Sequence, residues 1–595
     1  MIFPTNNFRD FRAYKQYYKP IETNQQQKYS VKVMKKKSIA SAGLKLSILT
    51  FCSRLLGVIR EMTKAALLGT SSLSDAFTVG FMFPNLFRKL FAEGSISVAF
   101  IPTFRSYLKS KSKEETQEFI NATFTLVTFL TTTSTIICII LTPHIIPLFA
   151  NNASKDILPE MTFLTRLMFP YLIVISVAAF FQGILNSLKI FLPSGVTPIL
   201  LNIIIISATY LLAPYTDNPA RAMAIGVVFG GTVQALFQLP FVLATNWKIQ
   251  FTSLKKAFSN PGTKRIIALV APTILGMAAY QLNDFVSTRF ATQAGVGVAS
   301  SLQFSIRLQE LILGIFAVSI GTVILPDLSM LAQNKKWNDF KDMLRRACCI
   351  IALITIPVTF FSLLYGENII KLIFQARRFT EDSVKLTLKA FSWHITGLYF
   401  IALNRIIAPA FYAQGNSKLP TLAGIISFTV NMILAAILSK SFSGSGIAFA
   451  LSASSLVNTV ALFIFLKKTN ITDVFYLFKS TMFYSVKTFV LSAISIVPLY
   501  FLKPFLCSPF EKMNRLFAQG IPLSLSAIIF GVIMLALLAL TKDPILKIII
   551  DTVKTKMNKQ KTTSPQIQST ISSISSRNNN SDNSDVCDVS NIPNE

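Results

Sequence analysis

Ile521-Pro-Leu-Ser-Leu-Ser-Ala-Ile-Ile-Phe-Gly-Val-Ile-Met-Leu-Ala-Leu-Leu-Ala-Leu540 runs for twenty residues without a charge. At 1.5 Å per residue such a helix reaches about 30 Å, the thickness of the hydrocarbon core of a bilayer. Runs of the same kind recur from Ala42 almost to Thr541, separated by short segments carrying Lys, Asn, Gly or Pro. Of the 595 residues 52% are hydrophobic and only 14% charged, against roughly 25% charged in soluble domains. Polar surface is too scarce to cover a water-soluble globule, so lipid is the expected solvent. Fourteen candidate helices are centred near Leu55, Leu90, Leu130, Val174, Ile204, Val233, Gly276, Leu313, Pro357, Tyr399, Phe428, Ser455, Ser492 and Phe530. The expected fold class is an all-α integral membrane protein with fourteen transmembrane helices.

A formal net charge of +30 would point to nucleic acid in a soluble protein. Here the cations cluster in alternate loops beside the apolar runs, as the positive-inside rule requires, and no nucleic-acid partner is implied. With the amino terminus in the cytoplasm, Arg105, Lys109, Lys111 and Lys113 fall inside. Lys248, Lys255, Lys256, Lys264 and Arg265, then Lys335, Lys336, Lys341, Arg345 and Arg346, then Lys467, Lys468, Lys479 and Lys487 follow on the same side. Opposite loops, such as Gly69 to Ser74 and Thr292 to Val298, are poorer in cations, with Lys371, Arg377 and Arg378 the main exception. The even helix count brings both termini to the cytoplasm.

The six cysteines show no CxxC spacing or paired framework, so neither a metal site nor a disulfide scaffold is expected. His144 and His394, the only histidines, read as packing or interfacial residues. The absence of a GxxxxGK[ST] loop excludes an ATP-driven pump of that type. The protein is expected not to be an enzyme and to hold no cofactor.

An internal repeat is visible. Phe100-Ile101-Pro102, a basic loop and an apolar helix are echoed by Ile324-Leu325-Pro326, another basic loop and another apolar helix. Asn186-Ser187 closing the fourth helix is echoed by Asn416-Ser417 closing the tenth. Because six is even, two six-helix halves share one orientation and relate by a pseudo-twofold axis along the membrane normal, which puts a substrate site between the lobes. The expected divisions are a polar, basic, disordered extension at 1–37, an N-lobe of helices one to six at 38–248, and a C-lobe of helices seven to twelve at 249–470. Helices thirteen and fourteen follow at 471–548, and a disordered polar cytoplasmic tail at 549–595. Met34, followed by three lysines, reads as a natural start, with Met1 the alternative.

Charge stands where charge is expensive. The first helix carries Arg54, Arg60, Glu61 and Lys64, the second Asp75, Arg88, Lys89 and Glu93, and the eighth Arg307 and Glu310. An arginine at the bilayer centre costs about 2.5–3.5 kcal/mol on insertion scales, and such charges face a wet cavity or a partner. Lys89 with Glu93, Arg307 with Glu310, and Arg54 with Glu61 share helical faces and have structural pairing as the alternative to ligand contact. Arg60 and Arg88 are left without an opposite charge on their own helical face, unless Asp75 serves one of them. Lys64, nearer a helix end, is expected to snorkel. Guanidinium suits a diphosphate, since it is always charged and donates parallel hydrogen bonds.

Three motifs, Ser53-Arg-Leu-Leu-Gly-Val-Ile-Arg-Glu61, Ser74-Asp-Ala-Phe77 and Pro84-Asn-Leu-Phe-Arg-Lys-Leu-Phe-Ala-Glu-Gly94, resemble the amino-terminal signature of the MurJ/MviN lipid II flippases. Phe169-Pro170-Tyr171, Gly183-Ile-Leu-Asn-Ser187, Arg307-Leu308 with Gly321-Thr322 and Leu325-Pro326, Phe379-Thr-Glu-Asp382 and Gly446-Ile-Ala-Phe-Ala450 extend the resemblance through the membrane region. It implies a fold of the multidrug/oligosaccharidyl-lipid/polysaccharide exporter type, working by alternating access in the bacterial inner membrane. It implies lipid II, an undecaprenyl diphosphate bearing a disaccharide-peptide, as substrate, and places substrate handling on Arg54, Arg60, Asp75, Arg88, Glu93 and Arg307. It implies a lipid-tail groove at helices thirteen and fourteen. The stretch Gln281 to Thr288 resembles one in which some members place a sodium-linked aspartate where this chain has Ser287; Asp284, one turn earlier, is the candidate substitute, against a helix-end or interlobe hydrogen bond. Sodium or proton coupling, or the membrane potential, is the expected drive. The expected partners are membrane lipids and the peptidoglycan-synthesis machinery, and the expected state is a monomer. The alternatives are a cation-coupled drug or oligosaccharide-lipid exporter of the same superfamily, a membrane glycosyltransferase, for which the loops are too short, and a non-transporting scaffold of wall synthesis.

Overall fold

The computed structural model describes residues 36–90, 99–150, 156–469, 471, 473–548 and 550–551, with side chains described throughout except at 36–45, 47, 271–282, 315–323 and 325. The sequence-based expectations for residues 1–35, for Glu93 and its pairing with Lys89, and for the tail from 552 therefore lie outside the described residues. The described chain is helical. Residues 1–52 and Ser53–Glu595 separate as two units; helix α1, Lys36–Leu68, crosses that boundary, and its portion from Ser53 onward belongs to the larger unit.

Local sequence sets the helix starts. Ser71 caps α2 (Ser72–Phe87), accepting from Ser74 N–H. After α3 (Ile101–Ser110), Ser112 and Glu115 form a capping box at the head of α4 (Lys113–Phe149), satisfying two otherwise orphaned N–H groups. The threonines of α4 return their hydroxyls to carbonyls one turn back, as in Thr123 to Phe119 at 2.8 Å and Thr142 to Cys138 at 2.6 Å. That bond lets a hydroxyl sit in hydrocarbon without an unmet donor. Helices α5 (Ile157–Met168) and α6 (Tyr171–Ser187) are two pieces of one apolar stretch, interrupted at Phe169-Pro170. Next come α7 (Leu192–Leu212), α8 (Pro219–Leu243), the short α9 (Leu254–Ser259), α10 (Pro261–Ala294), α11 (Val298–Gln333) and α12 (Trp337–Phe374). Helices α13 (Glu381–Thr396) and α14 (Leu398–Ala413) form a second interrupted stretch, bent by 43° at Gly397.

Helix α15 (Lys418–Leu466) has 49 residues and would measure about 74 Å if straight, more than twice the hydrocarbon thickness. It is broken at Ser443, whose φ of 51° leaves the helical region, and its arms fold together, since Ser427 Oγ donates to Ser454 O at 2.8 Å. The eleventh and twelfth expected helices are these two arms. Last come α16 (Val474–Cys507) and α17 (Arg515–Leu540). Both pack on α12, through Phe360 against Phe489 and Phe361 against Phe530 at ring distances of 4.9 and 5.8 Å, and through Ser526 donating to Tyr365 Oη at 2.7 Å. Their other faces carry exposed Phe483, Phe501, Phe505 and Leu540, surface that only lipid or apolar chains can cover favourably. Among the described residues eight helices are long and apolar enough to cross a membrane, or nine if α13 and α14 count as one span. The three largest clusters of buried apolar side chains are two between Leu68 and Ile266 and one from Phe304 to Leu477, which Ala65 joins.

Candidate functional site

A cavity of about 1130 Å³ lies among α1, α2, α6, α7, α8, α10, α11, α14 and α15. Ligand pockets for drug-sized molecules run to roughly 300–1,000 Å³, so this one suits a larger guest. Its described lining carries six cations, Arg60, Lys64, Arg88, Lys89, Arg307 and Arg405, against three carboxylates, Glu61, Asp284 and Glu310.

Glu61 is the centre of the cationic cluster. It is 7% exposed, accepts from Arg60 at 2.7 Å and has Arg307 Nε at 3.8 Å. Arg307 also bonds Glu310 at 2.7 Å, so the helical pair expected at 307 and 310 forms while a second carboxylate reaches the same guanidinium from α1. Arg60, left without a partner by helical spacing, is paired by its immediate neighbour in sequence. Arg54 is half-buried and stands outside the cavity lining, its guanidinium lying where a Cβ on Gly314 of α11 would fall. Arg88 lines the cavity and donates from Nε to Asn85 Oδ1 at 3.0 Å.

Lys64 corrects the snorkelling expectation. It is 4% exposed, donates to Thr78 Oγ1 at 2.6 Å and sits between the rings of Phe77 and Phe304 at 5.6 and 5.1 Å. A cation sandwiched by two aromatic faces keeps its charge inside the wall. Asp75 corrects a second expectation, since none of its described contacts is to an arginine. Its carboxylate accepts from the backbone N–H groups of Gly297 at 2.6 Å and Ser300 at 2.7 Å, capping α11 from another helix. The α11 N-cap, Gly297, has a left-handed φ of 78° and no side chain to offer, and an anion at a helix amino terminus is favoured by the unpaired N–H groups and the dipole.

Near Asp75, Thr70 Oγ1 and Ser383 Oγ are 2.8 Å apart, and Arg378 N–H donates to Ala66 O at 3.1 Å. Thr292 Oγ1 donates to Phe149 O at 2.9 Å. These contacts join segments from the two halves of the chain.

Asp284 and Ser287 both line the cavity but answer to different neighbours. Asp284 faces the Lys89 ammonium at 3.5 Å, while Ser287 accepts from Asn431 Nδ2 at 3.2 Å, the same nitrogen reaching Asn283 Oδ1 at 2.6 Å. A lysine beside Asp284 competes with any metal cation there. Among the described residues no group of three or more His, Cys, Asp or Glu is placed to hold a metal. His394 is 1% exposed and its Nδ1 lies 2.6 Å from Ser305 Oγ.

Sequence reasoning passed over Arg405, an exposed cation on the cavity wall six residues beyond the centre of the tenth expected helix. Its mid-span position was the available signal. Also missed were Asn202, Gln234 and Gln238, which line the cavity; uncharged amides give little signal in an apolar run.

A charged cavity of this size enclosed by apolar helices defines a class, the polytopic membrane proteins with a polar interior compartment. Within that class the chain belongs to the lipid II flippase MurJ family, whose sequence profile matches residues 64–517. It is 46% identical over 514 residues to the probable lipid II flippase MurJ of Treponema pallidum (strain Nichols), covering 85% of this chain and 97% of that protein. Its fold is similar to a solved lipid II flippase MurJ in an inward closed conformation, with a TM-score of 0.69 at 24% identity over 83% of this chain and 98% of that one. An inward-facing multidrug resistance MATE family transporter of the MOP superfamily is similar in fold at a TM-score of 0.60 and 15% identity, over 72% of this chain and 96% of that one.

Proposed function

We propose that this protein is a lipid II flippase of the bacterial inner membrane, carrying the diphosphate-linked headgroup from the cytoplasmic to the outer leaflet through the cationic cavity by alternating access. The observation that carries this reading is the excess of cations over carboxylates in a cavity of about 1130 Å³. Such a lining offers guanidinium forks to a diphosphate and repels a cationic drug. Unaided flipping is opposed by moving a charged, sugar-bearing head through hydrocarbon; the polyprenyl tail has no such barrier and stays in lipid, with the apolar outer faces of α16 and α17 as its groove.

The finer architecture belongs to this proposal. Fourteen spans result if α1, α2, α10 and α11 join the apolar set and α15 counts twice. Two lobes are supported by the separate apolar clusters and by the recurrence of an interrupted span at α5/α6 and again at α13/α14, the fourth member of each half. With both termini cytoplasmic, the Asp75, Thr70 and Thr292 contacts fall at the outer end, and the state described is one in which that end is shut. Arg60, Arg88, Arg307 and Arg405 receive the diphosphate, and Arg54 acts from behind them. Glu93 is placed in the same set by sequence alone. The membrane potential, negative inside, assists exit of an anion by about 2.3 kcal/mol per charge per 100 mV, and cation entry resets the carrier.

Protein reconstituted in vesicles should move labelled lipid II between leaflets. Movement of cationic dyes without lipid II would instead support a drug exporter. Arg60→Glu and Arg88→Glu should abolish lipid II transport while the protein still inserts; full transport by both variants would leave only a scaffold role.

A further inference from the structure

The six cations of the described cavity wall are not equally available to a guest. Arg60 is held by Glu61 at 2.7 Å, Arg307 by Glu310 at 2.7 Å with Glu61 at 3.8 Å, and Lys89 by Asp284 at 3.5 Å. Lys64 is enclosed by the rings of Phe77 and Phe304, and Arg88 donates to Asn85 Oδ1 at 3.0 Å. Arg405 differs. It is exposed on the cavity wall of α14, and among the described residues no hydrogen bond, carboxylate or aromatic face engages its guanidinium. The adjacent amide, Asn404, is committed to α15, donating to Ser455 O at 3.1 Å and accepting from Thr459 Oγ1 at 2.9 Å.

That difference sets an order of binding. A guanidinium already bonded to a carboxylate must give up that partner to take a phosphate, so it trades one anion for another and gains little. An uncommitted guanidinium exchanges only solvent and keeps the full benefit of two parallel charged hydrogen bonds. Position agrees with this order. Arg405 lies about 12 Å along α14 from its Ala413 end, which is cytoplasmic when both termini are. Arg60 and Arg307 lie about 12 and 14 Å from the Leu68 end of α1 and the Val298 end of α11, the outer ends in the same orientation. We infer that Arg405 is the loading contact of the cavity: it takes the diphosphate first, from the cytoplasmic side, while Glu61 and Glu310 occupy Arg60 and Arg307 until the headgroup displaces them. This rests on the reading of the protein as a lipid II flippase and gives the arginines of its cavity a sequence of action.

The test follows labelled lipid II in vesicles holding the full-length protein, and separates the lipid concentration that half-saturates transport from the saturated rate. Arg405→Gln should raise the half-saturating concentration about tenfold, the scale of a hydrogen-bonded charge, and keep the saturated rate, as expected for a contact made before the slow step. Arg307→Gln should instead lower the saturated rate. Glu310→Gln releases Arg307 from its carboxylate, and combined with Arg405→Gln it should recover most of the lost affinity. Arg405→Lys, which keeps the charge without the fork, should fall between wild type and Arg405→Gln and serves if the glutamine variant does not fold. Transport by Arg405→Gln like that of wild type, a fall in its saturated rate as large as that of Arg307→Gln, or no recovery from Glu310→Gln would overturn the loading role alone. A wild type that neither binds nor moves lipid II would overturn the flippase reading with it.

Discussion

Glu61 holds two arginines in a nearly dry place. With Arg60 at 2.7 Å and Arg307 at 3.8 Å, it is the one carboxylate that spans α1 and α11 in the described cavity wall. Removing one member of a buried pair leaves an uncompensated charge and costs about 3–5 kcal/mol; the side chains of Arg60 and Arg307 are 20% and 35% exposed, so the lower end applies. Glu61→Gln should therefore lower the melting temperature in detergent by several degrees and reduce transport; an unchanged melting temperature would show that the carboxylate stabilises nothing. Asp75 poses a different case. Asn at that position keeps one acceptor but removes the charge that favours the α11 amino terminus, an effect of about 0.3–2 kcal/mol. Asp75→Asn should loosen the contacts around the α11 amino terminus, read as faster thiol labelling of a cysteine placed at Thr70. Labelling at the wild-type rate would separate Asp75 from those contacts.

At the scale of elements, the breaks matter more than the spans. Helices α13 and α14 bend by 43° at Gly397, where an added Cβ would come within 2.8 Å of the Cα and Cβ of Ser452 on α15. Ser452 Oγ in turn donates to Trp393 O at 2.7 Å, satisfying a carbonyl near the bend. Gly397→Ala should reduce folded yield, and Ser452→Gly in the same chain should recover part of it by vacating the space. Failure of the second change to help would place the constraint at the α-carbon of residue 452, which a glycine there keeps, and not at the serine side chain. The sequence showed apolar runs at both interrupted spans but neither the break at Phe169-Pro170 nor the bend at Gly397, because mean apolarity is blind to a break of a residue or two. It likewise placed two helices within 418–466 by length, and the turn at Ser443 agrees with that division.

At the scale of the whole molecule, Lys89 and Asp284 stand 3.5 Å apart on helices from the two halves of the chain, with side chains 29% and 62% exposed. A pair so wet is worth under about 1 kcal/mol, weak enough to open and close readily. Charge reversal at Lys89 alone should slow transport, and Lys89→Asp combined with Asp284→Lys should restore much of it. A double variant no better than the worse single one would show that position and not pairing governs these groups. The Asp284 contact of Lys89 was not legible in the sequence, because helical spacing ranks near neighbours and cannot see a helix that arrives nearly two hundred residues later.

Composition and apolar run length by themselves determined that this chain lives in lipid, that it is helical and that charge lies within its spans. Those properties depend on each segment's own balance between hydrocarbon and water, which is written locally. Which charges meet was decided only by the tertiary structure. Asp75 caps a helix 222 residues away at Gly297, Lys64 is enclosed by rings from α2 and α11, and three carboxamides gather on one wall. Such meetings arise from how helices pack against each other, and no periodicity within a single helix encodes them.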